Sequence, residues 1–238
     1  MQAILGRLVD KINGATLETQ PDLNIYLEDV FDPAVYAEIL ARLPATENYE
    51  FINHPDATLV DGRITRKLLS LSDRSIQRLT ADDQAFWQTM NAALTSADLQ
   101  QALMQKFCER IKEIYGSTPT LGSVPIFYRD FPGYKIGIHT DAPFKVATLQ
   151  FYFPKDESQI HLGTSFHHKP QGKFEILKTN PFKPNSAYAF VRSERSWHSV
   201  QQIPQQEKPR DSLAVTLYLR DHEEYQRVIS IDGSKEYR

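Results

Sequence analysis

Apolar residues recur at one period in the first half of this chain and at another in the second, and the change falls at Gly116. Before it, the spacing is helical. Ile4, Leu5, Leu8, Val9 and Ile12 fall on one face and predict a short amphipathic helix. Asp32 is placed to cap a second helix that opens with Pro33, where a missing N–H costs nothing. Val35, Tyr36, Ile39, Leu40 and Leu43 then line one side, and Pro44 stops the run. A third helix is expected from Ala81 to Leu94. The strongest pattern predicts a helix from Ala97 to Tyr115, capped by Ser96 and ended by Gly116. Its stripe of Leu99, Leu103, Phe107, Ile111, Ile114 and Tyr115 is a core face, expected to pack on the outside of a sheet.

Beyond Gly116, proline and glycine appear at short intervals: Pro119, Gly122, Pro125, Pro132, Gly133, Gly137, Pro143 and Pro154. Short runs rich in β-branched and aromatic residues lie among and beyond them. Residues 123–131, 134–140, 145–153, 174–179, 186–193, 197–203 and 212–221 each read as a strand. Seven short strands so spaced predict an all-β sandwich or barrel. With no repeat, low-complexity segment or linker, the expected organisation is one domain over 1–238. Within it, 1–117 form a mainly helical buttress, 118–225 the β core and 226–238 a C-terminal tail.

Composition narrows the classes. A formal net charge of −3 gives no basic field for nucleic acid, and no block of like charges forms a tail. No run of about 18 apolar residues is present, so no membrane helix is expected. Cys108 is the single cysteine, which excludes an intrachain disulfide, and its place on a helical face predicts a buried, inert thiol. The first residues lack the apolar core of a secretory signal, so a cytoplasmic location is the simplest expectation.

Candidate chemistry sits in two strand-like segments, GIHTD and SWHSV. His139 and Asp141 are two apart and share a face on a regular strand, although the Ala-Pro after Asp141 also allows a turn. His198 belongs to another strand that a two-sheet roll can bring alongside. Two imidazoles and one carboxylate hold one face of an octahedral metal and point to non-haem Fe(II) before other metals. Alone, the set allows several metals and several barrels. Arg210 and Ser212 add to it, leading into the apolar run LAVTLYL. An arginine aimed into a barrel is costly unless it meets an anion. Its forked guanidinium matches a carboxylate, and the Ser212 hydroxyl supplies a further hydrogen bond. The bland alternative is a solvated charge at a loop end.

Other polar residues get bland readings. His167 and His168 are expected on a surface loop with His161 nearby, and His54 and His222 exposed. Arg192, Arg195 and Trp197, just before His198, read as a solvated turn more readily than as substrate contacts. Asp61, Arg63 and Arg66 read as a solvated loop before a lid.

Taken in order, the His-x-Asp, the distal histidine and the Arg-x-Ser resemble the Fe(II)/2-oxoglutarate-dependent oxygenases, in their prolyl-hydroxylase-like branch. The likeness extends from about Ser123 to Asp221, and the helical half matches only in style. It implies an α+β, mainly β fold: a double-stranded β-helix, or jelly roll, with N-terminal helices packed on its major sheet. It also implies Fe(II) at His139, Asp141 and His198, and the distal carboxylate of 2-oxoglutarate at Arg210 with Ser212 assisting. Tyr128 and Tyr152 match positions that reach the cosubstrate. O2 would be consumed, with ascorbate a candidate reductant. The interval from His198 to Arg210 is slightly longer than usual, which makes Arg220 or Arg192 the fallback anchor. The implied activity is hydroxylation of an unactivated C–H bond, with release of succinate and CO2. A carboxylate at Asp141 favours this over halogenation. By elimination the expected substrate is a small molecule, a glycan precursor or a carrier-bound metabolite. Alternatives are a protein (prolyl-type) hydroxylase, a cupin-like sugar-binding or epimerase barrel, or a metal-free barrel that serves as an interaction module. Neither nucleic acid nor membrane is an expected partner, and oligomeric state is unread.

Overall fold

The structure is a computed structural model that describes residues 1–52, 54–205 and 208–230. Among them the strands are β1 (Asn24–Glu28), β2 (Glu50–Phe51), β3 (Arg66–Ser70), β4 (Leu121–Asp130), β5 (Ile136–His139), β6 (Lys145–Tyr152), β7 (Thr164–His168), β8 (Glu175–Thr179), β9 (Ser186–Val191), β10 (His198–Val200) and β11 (Arg210–Leu219). The helices are α1 (Gln2–Gly14), α2 (Pro33–Ala41), α3 (Asp73–Gln77), α4 (Ala81–Leu94), α5 (Ala97–Lys106), α6 (Cys108–Tyr115) and α7 (Glu223–Ser230).

The strands form two antiparallel sheets. The major sheet runs β1-β9-β6-β11-β4-β3-β2 and the minor sheet β5-β10-β7-β8. Alternation along the major strands sorts their side chains. Leu149 and Phe151 of β6, Leu213 and Val215 of β11 and Phe127 of β4 join Trp87, Met90, Leu94, Leu99 and Leu103 in a core between sheet and helices. The intervening positions face the minor sheet, where Tyr152, Tyr188 and Phe190 pack with Phe166 and Val200. Arg210, Thr148 and Gln150 lie on this second face, which is how polar groups come to line the space between the sheets.

Local signals hold where caps are strong. Asp32 accepts the Ala34 N–H at 2.9 Å, and Ser96 the Leu99 N–H at 3.2 Å. Gly116 ends α6 with φ 72°, the left-handed conformation that favours glycine. The helix expected over Ala97–Tyr115 is instead two helices, broken at Phe107 (φ −108°, ψ 17°). The break lets Phe107 lie fully buried, whereas Ile114 ends up exposed and Cys108 half-buried, not fully buried.

Four strands escaped the periodicity. β1, β2 and β3 interrupt the helical half and extend both edges of the major sheet. β7 runs through the supposed histidine loop, where His167 is buried with its Nε2 2.7 Å from Ser199 Oγ. TSFHH carries no apolar alternation, and its strand character comes from pairing with β8 and β10 on either side. His222, expected exposed, is half-buried and stacks on Phe144. The tail expected from residue 226 begins inside α7, where Val228 is buried, and its residues 231–238 lie outside the described residues. No helix among the described residues is long and apolar enough to cross a membrane.

Candidate metal centre and its cleft

β5 and β10 lie side by side in the minor sheet with His139 directly opposite His198, ring centroids 4.3 Å apart. Each ring is held the same way. His139 Nδ1 lies 2.9 Å from Gly137 O, and His198 Nδ1 lies 2.9 Å from Ser196 O. A carbonyl oxygen only accepts, so Nδ1 carries the proton in both rings and both Nε2 lone pairs are left for a metal. Asp141 lies in the bend after β5, as the Ala-Pro allowed. Its Oδ1 accepts from Lys145 Nζ at 2.8 Å and its Oδ2 from Thr148 Oγ1 at 3.1 Å. Arg192 Nε fixes the Asp141 main-chain oxygen at 3.0 Å. One ligand atom from each of His139, Asp141 and His198 lies within 4.8 Å of the others.

Electrostatics leave His198 and Asp141 in ligating form. Burial pulls the His198 imidazole down to about 4, against the opposing pull of Asp141, so the ring is neutral at pH 7. Burial alone would push the Asp141 carboxyl up. The Lys145 ammonium, with its hydrogen bond, and the two imidazoles together outweigh it, and the carboxyl is held well below the usual carboxylate range. Burial likewise opposes the Lys145 charge, and Asp141 raises that group in return.

The three residues line a cleft of about 120 Å³ between the sheets. Arg210 lines it too. It heads β11, is 0% exposed, and pairs in register with Asp130 of β4. Its Nη1 donates to Asp130 Oδ2 at 2.9 Å and its Nε to Leu162 O at 2.7 Å. Its Nη2 is buried without a partner among the described residues. The adjacent Gly163 admits no side chain, since a Cβ there would meet Asn180 O at 1.6 Å. Arg66 of β3 grips the same Asp130 carboxylate at 2.5 and 2.9 Å. Two guanidinia thus share one carboxylate, and the surplus charge lies beside an unsatisfied donor. Such a set fits an anion, because a buried cation with an open donor is costly until one arrives. The Arg210 guanidinium also lies over Tyr152 (5.2 Å) and Phe182 (4.8 Å).

Of the residues singled out in the sequence, His139, Asp141, His198, Arg210 and Tyr128 line the cleft, and Tyr152 and Ser212 do not. Tyr152 and Ser212 instead end a chain of hydrogen bonds whose middle members, Thr164, Tyr188 and Gln150, line the cleft. Tyr152 Oη donates to Thr164 Oγ1 (2.9 Å), Thr164 Oγ1 to Tyr188 Oη (3.0 Å), and Tyr188 Oη to Gln150 Oε1 (2.7 Å). Gln150 Nε2 then donates to Ser212 Oγ (2.9 Å). Burial raises both tyrosines, so they remain protonated donors. Neither fallback anchor reaches the cleft: Arg220 is exposed beyond the far end of β11, and Arg192 is engaged by Asp141 and Glu194. Asp61 and Arg63 form an exposed pair, as a solvated loop should, but Arg66 belongs to the cleft. Lys145, Thr148, Gln150, Thr164 and Tyr188 were also missed. The signal for two of them was present, since Thr148 and Gln150 are the polar alternates of an otherwise apolar strand. A larger hollow of about 280 Å³ opens at Arg129 and Asp211 on the other face of β4 and β11, and holds none of the candidate ligands.

With this geometry in hand, solved structures define the fold. A Trichoplax adhaerens prolyl hydroxylase, in complex with a hypoxia inducible factor peptide fragment, superposes with TM-score 0.53 at 12% identity, covering 96% of this chain and 93% of its own. A Pseudomonas putida prolyl-4-hydroxylase gives 0.51 at 16% identity, covering 91% and 100%. SnoN, a non-heme alpha ketoglutarate dependent epimerase from nogalamycin biosynthesis, gives 0.54 at 14% identity, covering 100% and 92%. The chain therefore has the jelly-roll fold of these proteins, mainly β with helices against the major sheet, as the sequence resemblance implied. No protein-family model matches the sequence, and no curated protein does.

Proposed function

We propose that this chain is an Fe(II)- and 2-oxoglutarate-dependent dioxygenase that hydroxylates an unactivated C–H bond and releases succinate and CO2. One observation carries the reading. Two histidines with free Nε2 lone pairs and an ionised carboxylate share a cleft with a buried arginine whose Nη2 has no partner among the described residues. His139, Asp141 and His198 would hold the iron, which when bound supplies the activation of O2 that side chains alone lack.

The remaining work falls to the chain's own groups. Arg210 offers Nη2 to the carboxylate of 2-oxoglutarate remote from the metal, while Asp130 and Leu162 O keep its fork from turning. Tyr128 reaches the cosubstrate from the cleft wall. Tyr152 and Ser212 act at one remove, through Thr164 and Gln150. Ile136, Phe190 and Val200 line the cleft and exclude water. Ascorbate is expected to sustain turnover as a reductant.

A second cavity of about 150 Å³ shares Arg66, Tyr128 and Ile136 with the cleft and adds Ile52, Ala57 and Leu68 beside His54, Asp56 and Tyr134. Its small size and its mix of apolar and polar walls support a compact group with polar substituents as the part oxidised, as in a small molecule, a glycan precursor or a carrier-bound metabolite. A prolyl residue of a protein is the alternative, supported by the peptide that the Trichoplax enzyme holds. A cupin-like sugar barrel would not need the buried Arg66–Asp130–Arg210 set.

Calorimetry tests the site. 2-Oxoglutarate should bind the Mn(II)-loaded protein more tightly than the metal-free protein, because chelation adds to the Arg210 contact. No binding in either form would refute the reading.

A further inference from the structure

We propose that Asp22, in the segment between α1 and β1, positions two of the three ligand residues from outside the cleft and thereby sets metal affinity. The inference rests on the metal reading above. Asp22 is 2% exposed, and it reaches the turn 192–196. Its Oδ1 accepts from Leu23 N and from Arg110 Nε of α6, both at 2.8 Å. Its Oδ2 accepts from Ser193 Oγ at 2.5 Å and lies 3.5 Å from Arg195 Nε. A buried carboxylate between two guanidinia is a fixed point, because moving it would strand charge away from water.

The turn it pins touches both ligands. Within the turn, Ser193 Oγ accepts from Arg195 N, while Ser193 N donates to Ser196 Oγ, which donates back to Ser193 O, each at 3.0 Å. At one end, Ser196 O accepts the hydrogen bond from His198 Nδ1–H and so fixes that ring's tautomer. At the other end, Arg192 Nε holds the Asp141 carbonyl. His139 makes no hydrogen bond to the turn through its Nδ1, which is held by Gly137 within its own strand, and it meets the turn only through the His198 ring 4.3 Å away. Partners that orient metal ligands tune metal binding nearly as strongly as the ligands do. Asp22 extends that control one step further, from the N-terminal half of the chain.

The test is Asp22→Asn, which keeps the shape but removes the charge and one acceptor. Two readings are taken on protein shown to be folded by circular dichroism: Mn(II) affinity by calorimetry, and the imidazole Nδ1–H signals of metal-free protein by ¹H–¹⁵N NMR. Mn(II) should bind about tenfold more weakly, at the lower end of what orienting partners contribute. The His198 Nδ1–H signal should shift or broaden, and that of His139, whose Nδ1 partner is Gly137, should move less. Wild-type affinity with both signals unchanged would overturn the proposal. If Asp22→Asn does not fold, Ser193→Ala cuts the same link and should give a smaller loss in the same direction, and no loss would overturn it. Wild-type protein that binds no Mn(II) would overturn the metal reading and this proposal together. Wild-type binding with an unaltered Asp22→Asn would remove the latch alone.

Discussion

His139→Ala should abolish Fe(II) binding and leave the fold standing. His139 is the right ligand to remove because it is the least entangled of the three. It is half-buried at the end of β5, whereas His198 packs against Phe166 and Phe190 and Asp141 is tied to Lys145, Thr148 and Arg192. The expected loss of stability is about 1 kcal/mol, the ordinary effect of a substitution without a buried network. The loss of affinity should exceed about 100-fold, since orienting partners alone contribute about 10- to 100-fold. Anaerobic titration with Fe(II), beside a thermal melt, separates the two effects. A folded variant with wild-type affinity would remove His139 from the ligand set.

The second large effect belongs to Arg210, and it has two components. Arg210→Ala removes a fully buried guanidinium and leaves Asp130 with Arg66 alone. Breaking a buried pair costs about 3–5 kcal/mol, and the remaining partner puts this case near 3. For a chain of this size that lowers Tm by about 6–12 °C. Arg210→Met fills most of the space and should recover part of that stability. Neither variant offers the cosubstrate a charged donor, a contact worth about 1.5–3 kcal/mol, or roughly 10- to 150-fold in 2-oxoglutarate affinity. Calorimetry on the two variants therefore divides packing from recognition. If Arg210→Met binds 2-oxoglutarate as wild type does, the anchor moves to Arg66, the other cation on Asp130.

The Arg210 result also marks where sequence reading stops. The expectation that an inward arginine needs an anion was sound, but the anion found beside it is Asp130, and nothing in the spacing of the two residues reveals that pairing. It depends on the register of β11 against β4, which is set by the whole sheet. Arg66 was hidden for the same reason. It stands in a polar run that becomes β3 only by pairing with β4. By contrast, the strand-rich half was legible because a two-residue period is written locally, and the His-x-Asp and the distal histidine stood out by residue type, with β5–β10 pairing bringing them together. The long amphipathic helix was legible in its burial and wrong in its continuity, since its stripe holds across the break at Phe107. Ser212 was singled out by the Arg-x-Ser pair and Tyr152 by the family resemblance. Their side chains meet Gln150 and Thr164 instead of the cleft, a choice fixed by neighbours that are distant in sequence.

If the cleft joins a metal held by His139, Asp141 and His198 to 2-oxoglutarate held by Arg210, anaerobically purified protein given Fe(II), ascorbate and O2 should turn over 2-oxoglutarate, followed as succinate released. The expected result is succinate that requires both Fe(II) and O2 and is lost in His139→Ala. Succinate should rise further when a panel of small-molecule, glycan and peptide substrates includes the right one. No Fe(II)-dependent succinate across that panel would contradict the account.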